Sequence, residues 1–146
     1  MANGKAARLY FSDLIGDAYK GWNDTKLILD GGTGTGKTFF SLNMLGTYAK
    51  EQKKCILYLC NRSKLKYQII YKVQELGLKD IVYVMTYQQL ENLIKINTII
   101  GDFDYIIADE CHYSTNDARF NDYTDISYNF LKNQSGNVVI YVSATA

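Results

Sequence analysis

The sequence predicts an α/β domain in which helices cover a mostly parallel sheet. Short apolar runs alternate along the chain with stretches in which apolar residues recur at helical spacing. This alternation is typical of strand–helix–strand units, whose strands pair in parallel. A glycine-rich segment directly after an early apolar run indicates the same architecture, because parallel sheets bind ligands beyond the carboxyl ends of their strands.

Five strands are predicted. The first covers about residues 26–30 and precedes a helix at about 37–50. The other strands are predicted at residues 55–60, 81–85, 105–108 and 138–142. The helices between them have their apolar positions at Leu65, Ile69, Val73 and Leu76, at Leu90, Leu93 and Ile94, and at Ile126 and Phe130. Apolar spacing over residues 5–20 predicts one further helix before the first strand.

Length and composition indicate one soluble globular domain. The chain has 146 residues, of which 47% are hydrophobic and 21% charged. No apolar run approaches the roughly 20 residues of a membrane span, and the N-terminus lacks a signal-peptide core, so we expect a cytoplasmic protein without a membrane partner. The net charge of +1 argues against a broad basic surface. DNA or RNA would therefore be bound by a local patch or by another domain.

The glycine-rich segment fits the P-loop pattern G-x-x-x-x-G-K-[ST] in full. Glycines let the backbone approach an anion, and the loop N–H groups and the following helix N-terminus favour phosphate. Lys37 would reach the β- and γ-phosphates, and the Thr38 hydroxyl would bind Mg²⁺. We therefore predict that the chain binds a nucleoside triphosphate, expected to be ATP, through Gly32, Thr33, Gly34, Thr35, Gly36, Lys37 and Thr38.

Two carboxylates follow the fourth predicted strand. Asp109 is placed to hold Mg²⁺, usually through water. Glu110 is placed to orient or deprotonate a water for attack on the γ-phosphate. The alternative is an acidic strand end that caps the next segment. Lys37 and Glu110 are the predicted catalytic residues, and Thr38 and Asp109 the predicted metal ligands.

These motifs resemble those of the superfamily-two helicases, in particular the phage- or bacterial-type DEAD/DEAH-box helicase family proteins. Residues 109–112, Asp-Glu-Cys-His, are similar to the D-E-x-H box, and residues 143–145, Ser-Ala-Thr, to the S-A-T motif. Residues 33–38 match the later positions of the first helicase motif. Residues 59–68 resemble motif Ia, and residues 85–90 resemble motif Ib.

The resemblance implies a RecA-like three-layer sandwich, with the S-A-T strand between the P-loop strand and the D-E-x-H strand. It also implies that His112 relays the state of the γ-phosphate to Ser143 and Thr145. Arg62 and Thr86 would contact the backbone of DNA or RNA. The alternative for Arg62 is an exposed arginine at a helix start, and the alternative for Thr86 is a helix N-cap.

Enzymes of this kind continue beyond S-A-T into a second RecA-like domain that carries arginine fingers. We therefore expect residues 1–146 to be the first RecA-like domain, with the second as its partner and with weak turnover on its own. Other P-loop NTPases, either a terminase-type packaging ATPase or a nucleotide kinase, are alternatives, as is a nucleotide-binding module without turnover. Only Arg119 follows Arg62, which argues against an arginine-rich kinase lid. No glutamine precedes Gln52, so the adenine-reading Q motif is missing.

Overall fold

Six parallel strands form one sheet in the part of the chain that the computed structural model describes. That part comprises residues 7–10, 18–30, 40–60, 63–98, 100–111 and 125–143. The strands are β1 (Ala7–Tyr10), β2 (Thr25–Asp30), β3 (Ile56–Cys60), β4 (Val82–Thr86), β5 (Tyr105–Cys111) and β6 (Val138–Ser143). Their order across the sheet is β1-β2-β6-β5-β3-β4.

Four α-helices lie between these strands along the described part of the chain. They are α1 (Thr47–Glu51), α2 (Ser63–Glu75), α3 (Tyr87–Lys95) and α4 (Asp125–Lys132). A π-helical stretch, Phe40–Gly46, leads directly into α1, and a short 3₁₀ turn, Ala18–Gly21, precedes β2. None of the helices in these residues is long and apolar enough to cross a membrane.

The predicted α/β architecture is confirmed. All five predicted strands are present, every strand pair is parallel, and β6 lies between β2 and β5. The strand count is corrected to six. The helix predicted over residues 5–20 is wrong at residues 7–10, which form a strand, and residues 5–6 and 11–17 lie outside the described residues. Ala7–Tyr10 form β1, which pairs with β2 from Ala7 opposite Leu27. Pairing with the open edge of β2 satisfies this backbone, and such tertiary pairing overrides a local apolar spacing.

Each face of the sheet has its own apolar core. On one face, Leu42 and Leu45 of the π-helical stretch pack with Val73 of α2 against alternate strand residues such as Ile107. On the other face, Leu90 of α3 and Leu131 of α4 pack against the intervening strand residues, which include Leu57, Ile106 and Val139. Burying one such side chain stabilises the fold by about 1.5–3 kcal/mol. The helices thus form two outer layers, as the RecA-like sandwich requires.

The C-terminal end of α2 is closed at Gly77 by two backbone hydrogen bonds. Gly77 has φ +69°, a left-handed conformation that glycine adopts without a Cβ clash. The Gly77 N–H donates to the Gln74 carbonyl at 3.2 Å, and the Leu78 N–H donates to the Val73 carbonyl at 2.9 Å. This pair of bonds is a Schellman motif, and it buries Leu78 beside Val73 in the first core.

Candidate active site

Three neighbouring strands bring the predicted motifs to one edge of the sheet. The strand β2 ends at Asp30, the residue before the glycine-rich loop, and β6 ends at Ser143. Leu29 of β2 is the register partner of Val142, and Ser143 is the register partner of Cys111 in β5. Because the strands are parallel, their carboxyl ends share this edge. The sheet therefore places the last residue before the P-loop, Asp30, beside Cys111 of the D-E-x-H segment and Ser143 of the S-A-T segment, at one edge.

Most of the predicted site residues lie outside the described residues. These are Gly32, Thr33, Gly34, Thr35, Gly36, Lys37, Thr38, Arg62, His112 and Thr145. Of Glu110 and Ser143 the structure describes the backbone, which belongs to β5 and β6. The roles of all these side chains stay predictions. Asp109 and Thr86 are the two predicted site residues whose side chains are described.

Asp109 is buried and held by two tyrosines. Its exposed fraction is 9%, and its Oδ2 accepts a hydrogen bond of 2.5 Å from the Tyr58 hydroxyl. The backbone carbonyl of Asp109 accepts a second hydrogen bond of 2.9 Å, from the Tyr87 hydroxyl. Both tyrosines are buried as well, so water competes little for these bonds. The carboxylate and the backbone of Asp109 are therefore fixed by separate donors.

The two tyrosines reach Asp109 from opposite faces of the sheet. Tyr58, on β3, belongs to the core beneath α2, whereas Tyr87, the first residue of α3, belongs to the core beneath α3 and α4. Sequence reasoning missed both contacts. A signal was present, since a tyrosine inside an otherwise apolar strand such as β3 must find a partner for its hydroxyl once it is buried.

The strand β5 is irregular at Asp109. Ala108 is the register partner of Tyr141, but Cys111 is the register partner of Ser143, so β5 advances three residues while β6 advances two. The register pairs of β5 with β3 also end at Ala108. Such a bulge interrupts the ladder and redirects side chains, and bulges are frequent next to active sites. The Tyr87 hydroxyl donates to the carbonyl at this interruption.

The chemistry of Asp109 fits Mg²⁺. Magnesium prefers oxygen ligands and usually retains several waters, so one carboxylate at the edge of the site is a sufficient protein contact. Carboxylates that bind metals are commonly oriented by a second hydrogen-bonding group. The Tyr58 hydroxyl is such a group. Asp109 therefore has the donor type and the support that the predicted metal ligand needs.

Thr86 caps α3. Its hydroxyl oxygen accepts a hydrogen bond of 3.1 Å from the Gln89 backbone N–H, and Gln89 Oε1 accepts one of 2.9 Å from the Thr86 backbone N–H. The Nζ of Lys66, on α2, donates to the same Gln89 Oε1 at 2.8 Å. The N-cap alternative is thus what the structure shows for Thr86, and its contact with nucleic acid stays a prediction. Thr86 is the register partner of Cys60 in the neighbouring strand β3. Cys60 precedes Arg62 by two residues in the sequence.

The parallel sheet with β6 between β2 and β5, covered by helices on both faces, is the arrangement expected of the first RecA-like domain of a superfamily-two helicase. The family model described as "Type III restriction enzyme, res subunit" matches residues 10–81 and 77–146. The chain belongs to this family.

One solved structure supports the fold. It is a nuclease-deletion mutant of the Type ISP restriction-modification enzyme LlaGI in complex with a DNA substrate mimic. The match has a TM-score of 0.56 and 19% sequence identity, and it covers 87% of this chain. It covers 16% of the LlaGI chain, so the present sequence spans a small part of that enzyme. No curated protein sequence matches the chain.

Proposed function

We propose that this chain is the ATP-binding and ATP-hydrolysing half of a helicase or translocase that moves on nucleic acid. The observation that carries the proposal is the meeting of β2, β6 and β5 at one edge, with Asp109 anchored there from both faces of the sheet. Asp109 lies at the edge where open parallel sheets bind ligands, and the Tyr58 hydroxyl orients its carboxylate.

In the proposed reaction, Lys37 and the N–H groups of the P-loop hold the phosphates, and Thr38 and Asp109 are the residues that would hold Mg²⁺. Bound Mg²⁺ would neutralise charge on the phosphate oxygens. Glu110 would accept a proton from the attacking water, whose oxygen bonds to the γ-phosphorus while the bond from that phosphorus to the bridging oxygen breaks. The products are ADP and inorganic phosphate.

The coupling roles rest on backbone placement. Ser143 is the register partner of Cys111, the residue before His112, which supports a relay from His112 to Ser143 and Thr145. Arg62 follows β3 by two residues, and Thr86 is the last residue of the neighbouring β4. Their nearness at one edge of the sheet supports contact of both residues with the same nucleic-acid backbone. Of DNA and RNA we favour DNA, because the LlaGI structure was determined with a DNA substrate mimic.

We propose that the arginine fingers come from a second RecA-like domain. Such arginines contribute about 10³–10⁵-fold to the rate of phosphoryl transfer in related P-loop enzymes. Residues 1–146 alone are then expected to bind Mg-ATP and to hydrolyse it slowly.

The test combines a titration of Mg-ATP binding with a sensitive assay of phosphate release, each with and without single-stranded DNA. The Glu110→Gln variant should retain the wild-type affinity and lose hydrolysis by about 10²-fold or more, since general bases contribute about 10²–10⁴-fold. The exposed Glu51→Gln substitution is the matched control, and it should change neither quantity. Unchanged hydrolysis in Glu110→Gln, or phosphate transfer to an acceptor other than water, would contradict the proposal.

A further inference from the structure

Tyr87 lies between the two parts of the proposed site. In the chain it follows Thr86, the N-cap of α3 and a predicted contact of nucleic acid. In space its hydroxyl lies 2.9 Å from the carbonyl oxygen of Asp109, the predicted metal ligand. One side chain therefore joins the first turn of α3 to the nucleotide end of β5.

The contact is suited to transmitting small displacements. Tyr87 is 0% exposed and is packed within the core beneath α3 and α4, so its ring is fixed by its neighbours. A tyrosine ring is rigid and has only two side-chain torsions, and close-packed interiors transmit strain. The receiving carbonyl lies at the bulge of β5, where the ladder with β6 is interrupted and the backbone is least constrained by strand pairing.

The cap of α3 is itself tied to the neighbouring helix. Gln89 Oε1 accepts hydrogen bonds from the Thr86 backbone N–H at 2.9 Å and from Lys66 Nζ at 2.8 Å. Lys66 lies on α2, within residues 59–68, the segment that resembles motif Ia. A ligand that displaces the start of either helix therefore acts on the residue that precedes Tyr87.

We infer that Tyr87 is a positioning residue that couples nucleic-acid binding at the start of α3 to the placement of Asp109. This inference rests on the proposed function and deepens it. Binding of a strand shifts the first turn of α3, and the Tyr87 hydroxyl transfers that shift to the Asp109 backbone. By linkage, Mg-ATP bound at Asp109 must in turn change the affinity for the strand by the same factor.

The experiment measures that factor in the full 146-residue chain. The dissociation constant of a slowly hydrolysed ATP analogue with Mg²⁺ is measured without oligothymidylate and at saturating oligothymidylate. The wild-type ratio is expected to lie within the roughly 5–150-fold range of typical couplings. In Tyr87→Phe, which keeps the ring and removes the hydroxyl, the ratio should fall to about 1, the value for uncoupled sites. Tyr128→Phe, a tyrosine on α4 packed beside the same core, is the matched control and should keep the wild-type ratio.

A second measurement keeps the test decisive if Tyr87→Phe is poorly stable. Hydrogen exchange of the backbone amides from Asp109 to Cys111 should slow in the wild type when oligothymidylate binds. The Tyr58→Phe variant, which removes a donor to the Asp109 side chain, should retain this response because the Tyr87 contact remains.

The outcomes separate the inference from the proposed function. If the wild type couples the two ligands and Tyr87→Phe couples them equally well, the role of Tyr87 is refuted while the helicase assignment stands. If the wild type binds the analogue but oligothymidylate changes neither affinity nor exchange, the coupling is refuted, while the Glu110→Gln assay still decides the proposed function.

Discussion

The Ser127 hydroxyl lies 2.6 Å from Oε2 of Glu91, and the two side chains are 0% and 2% exposed. The bond joins α4 to α3, the two helices that cover the face of the sheet on which Tyr87 lies. A buried carboxylate is costly unless it is hydrogen-bonded, so the alignment of this helix pair depends on the bond.

Ser127→Ala is therefore expected to destabilise the fold. It removes one hydrogen-bond donor to the buried Glu91 side chain, and the loss of such a donor costs about 1–3 kcal/mol. Urea unfolding followed by circular dichroism measures the loss. Ser135→Ala, an exposed serine after α4, is the control and should unfold like the wild type. Equal stability of the two variants would show that the Ser127 bond contributes nothing net.

Tyr58→Phe should weaken Mg²⁺-dependent nucleotide binding. The substitution removes the hydrogen bond to Asp109 Oδ2 and keeps the buried ring. Loss of a group that orients a metal ligand typically costs about 10–100-fold in metal affinity. The measurement is the dissociation constant of the ATP analogue as a function of Mg²⁺ concentration.

The matched control for Tyr58→Phe is Tyr83→Phe. The Tyr83 side chain is 44% exposed on β4, and its hydroxyl donates to the Asp80 carbonyl at 3.3 Å, remote from the predicted ligand set. An identical Mg²⁺ dependence in the two variants would argue against Asp109 as a metal ligand.

Gly46→Ala should destabilise the junction between the π-helical stretch and α1. A Cβ at Gly46 would lie 2.8 Å from Leu78 Cδ1, and Leu78 is buried in the first core. Overpacking of a close-packed core costs about 1–3 kcal/mol. Thermal unfolding of this variant is compared with that of Gly21→Ala, whose added Cβ would meet nothing within 4 Å. A melting temperature equal to that of the control would show that Leu78 repacks without cost.

The stability of the protein should decline above about pH 10 in part through Tyr105. Burial of the ring, and then negative charge on Tyr48 and Asp104, raise the pKa of Tyr105 above its ordinary value of 10.0. The folded state therefore keeps a proton that the unfolded state releases. The stabilising effect of protonated Tyr105 is complete below the pKa that Tyr105 has in the unfolded state. It is lost as the pH rises through the higher pKa that Tyr105 has in the folded state.

Tyr105→Phe removes that proton linkage, so its urea midpoint should fall less steeply than the wild-type midpoint between pH 9 and pH 11, a range of about one unit on each side of the ordinary tyrosine pKa. Tyr71→Phe, whose side chain is 63% exposed, is the comparison and should follow the wild-type slope. Parallel slopes for all three proteins would exclude a contribution from Tyr105.

The sequence predicted those parts of the fold that depend on continuous apolar runs. The five-residue strand β3 is buried at every position and was visible as such a run. The four-residue strand β1 could not be recognised from the sequence. Its residues, Ala-Arg-Leu-Tyr, are extended because they pair with the edge of β2 and not because of their own apolar pattern. The place of β6 within the sheet followed from the resemblance to helicases and not from spacing.

Asp109 was predicted as a site residue from its position after an apolar strand, but its two tyrosine partners were not. Tyr58 and Tyr87 are separated from Asp109 by 51 and 22 positions, and only the folded sheet brings them together. Contacts of this kind depend on register, on the bulge and on which face each side chain occupies. A local sequence pattern does not reveal the register, the bulge or the face of the sheet.

The central place of β6 has a consequence for synthesis on the ribosome. Among the six strands described, β6 is made last, yet it alone connects the β1-β2 pair to the β5-β3-β4 group. Until residues 138–143 have left the exit tunnel, the β1-β2 pair and the β5-β3-β4 group cannot join into one sheet, and unpaired strand edges favour aggregation. Release of this one strand therefore sets the moment at which the nascent chain can become a single cooperative unit.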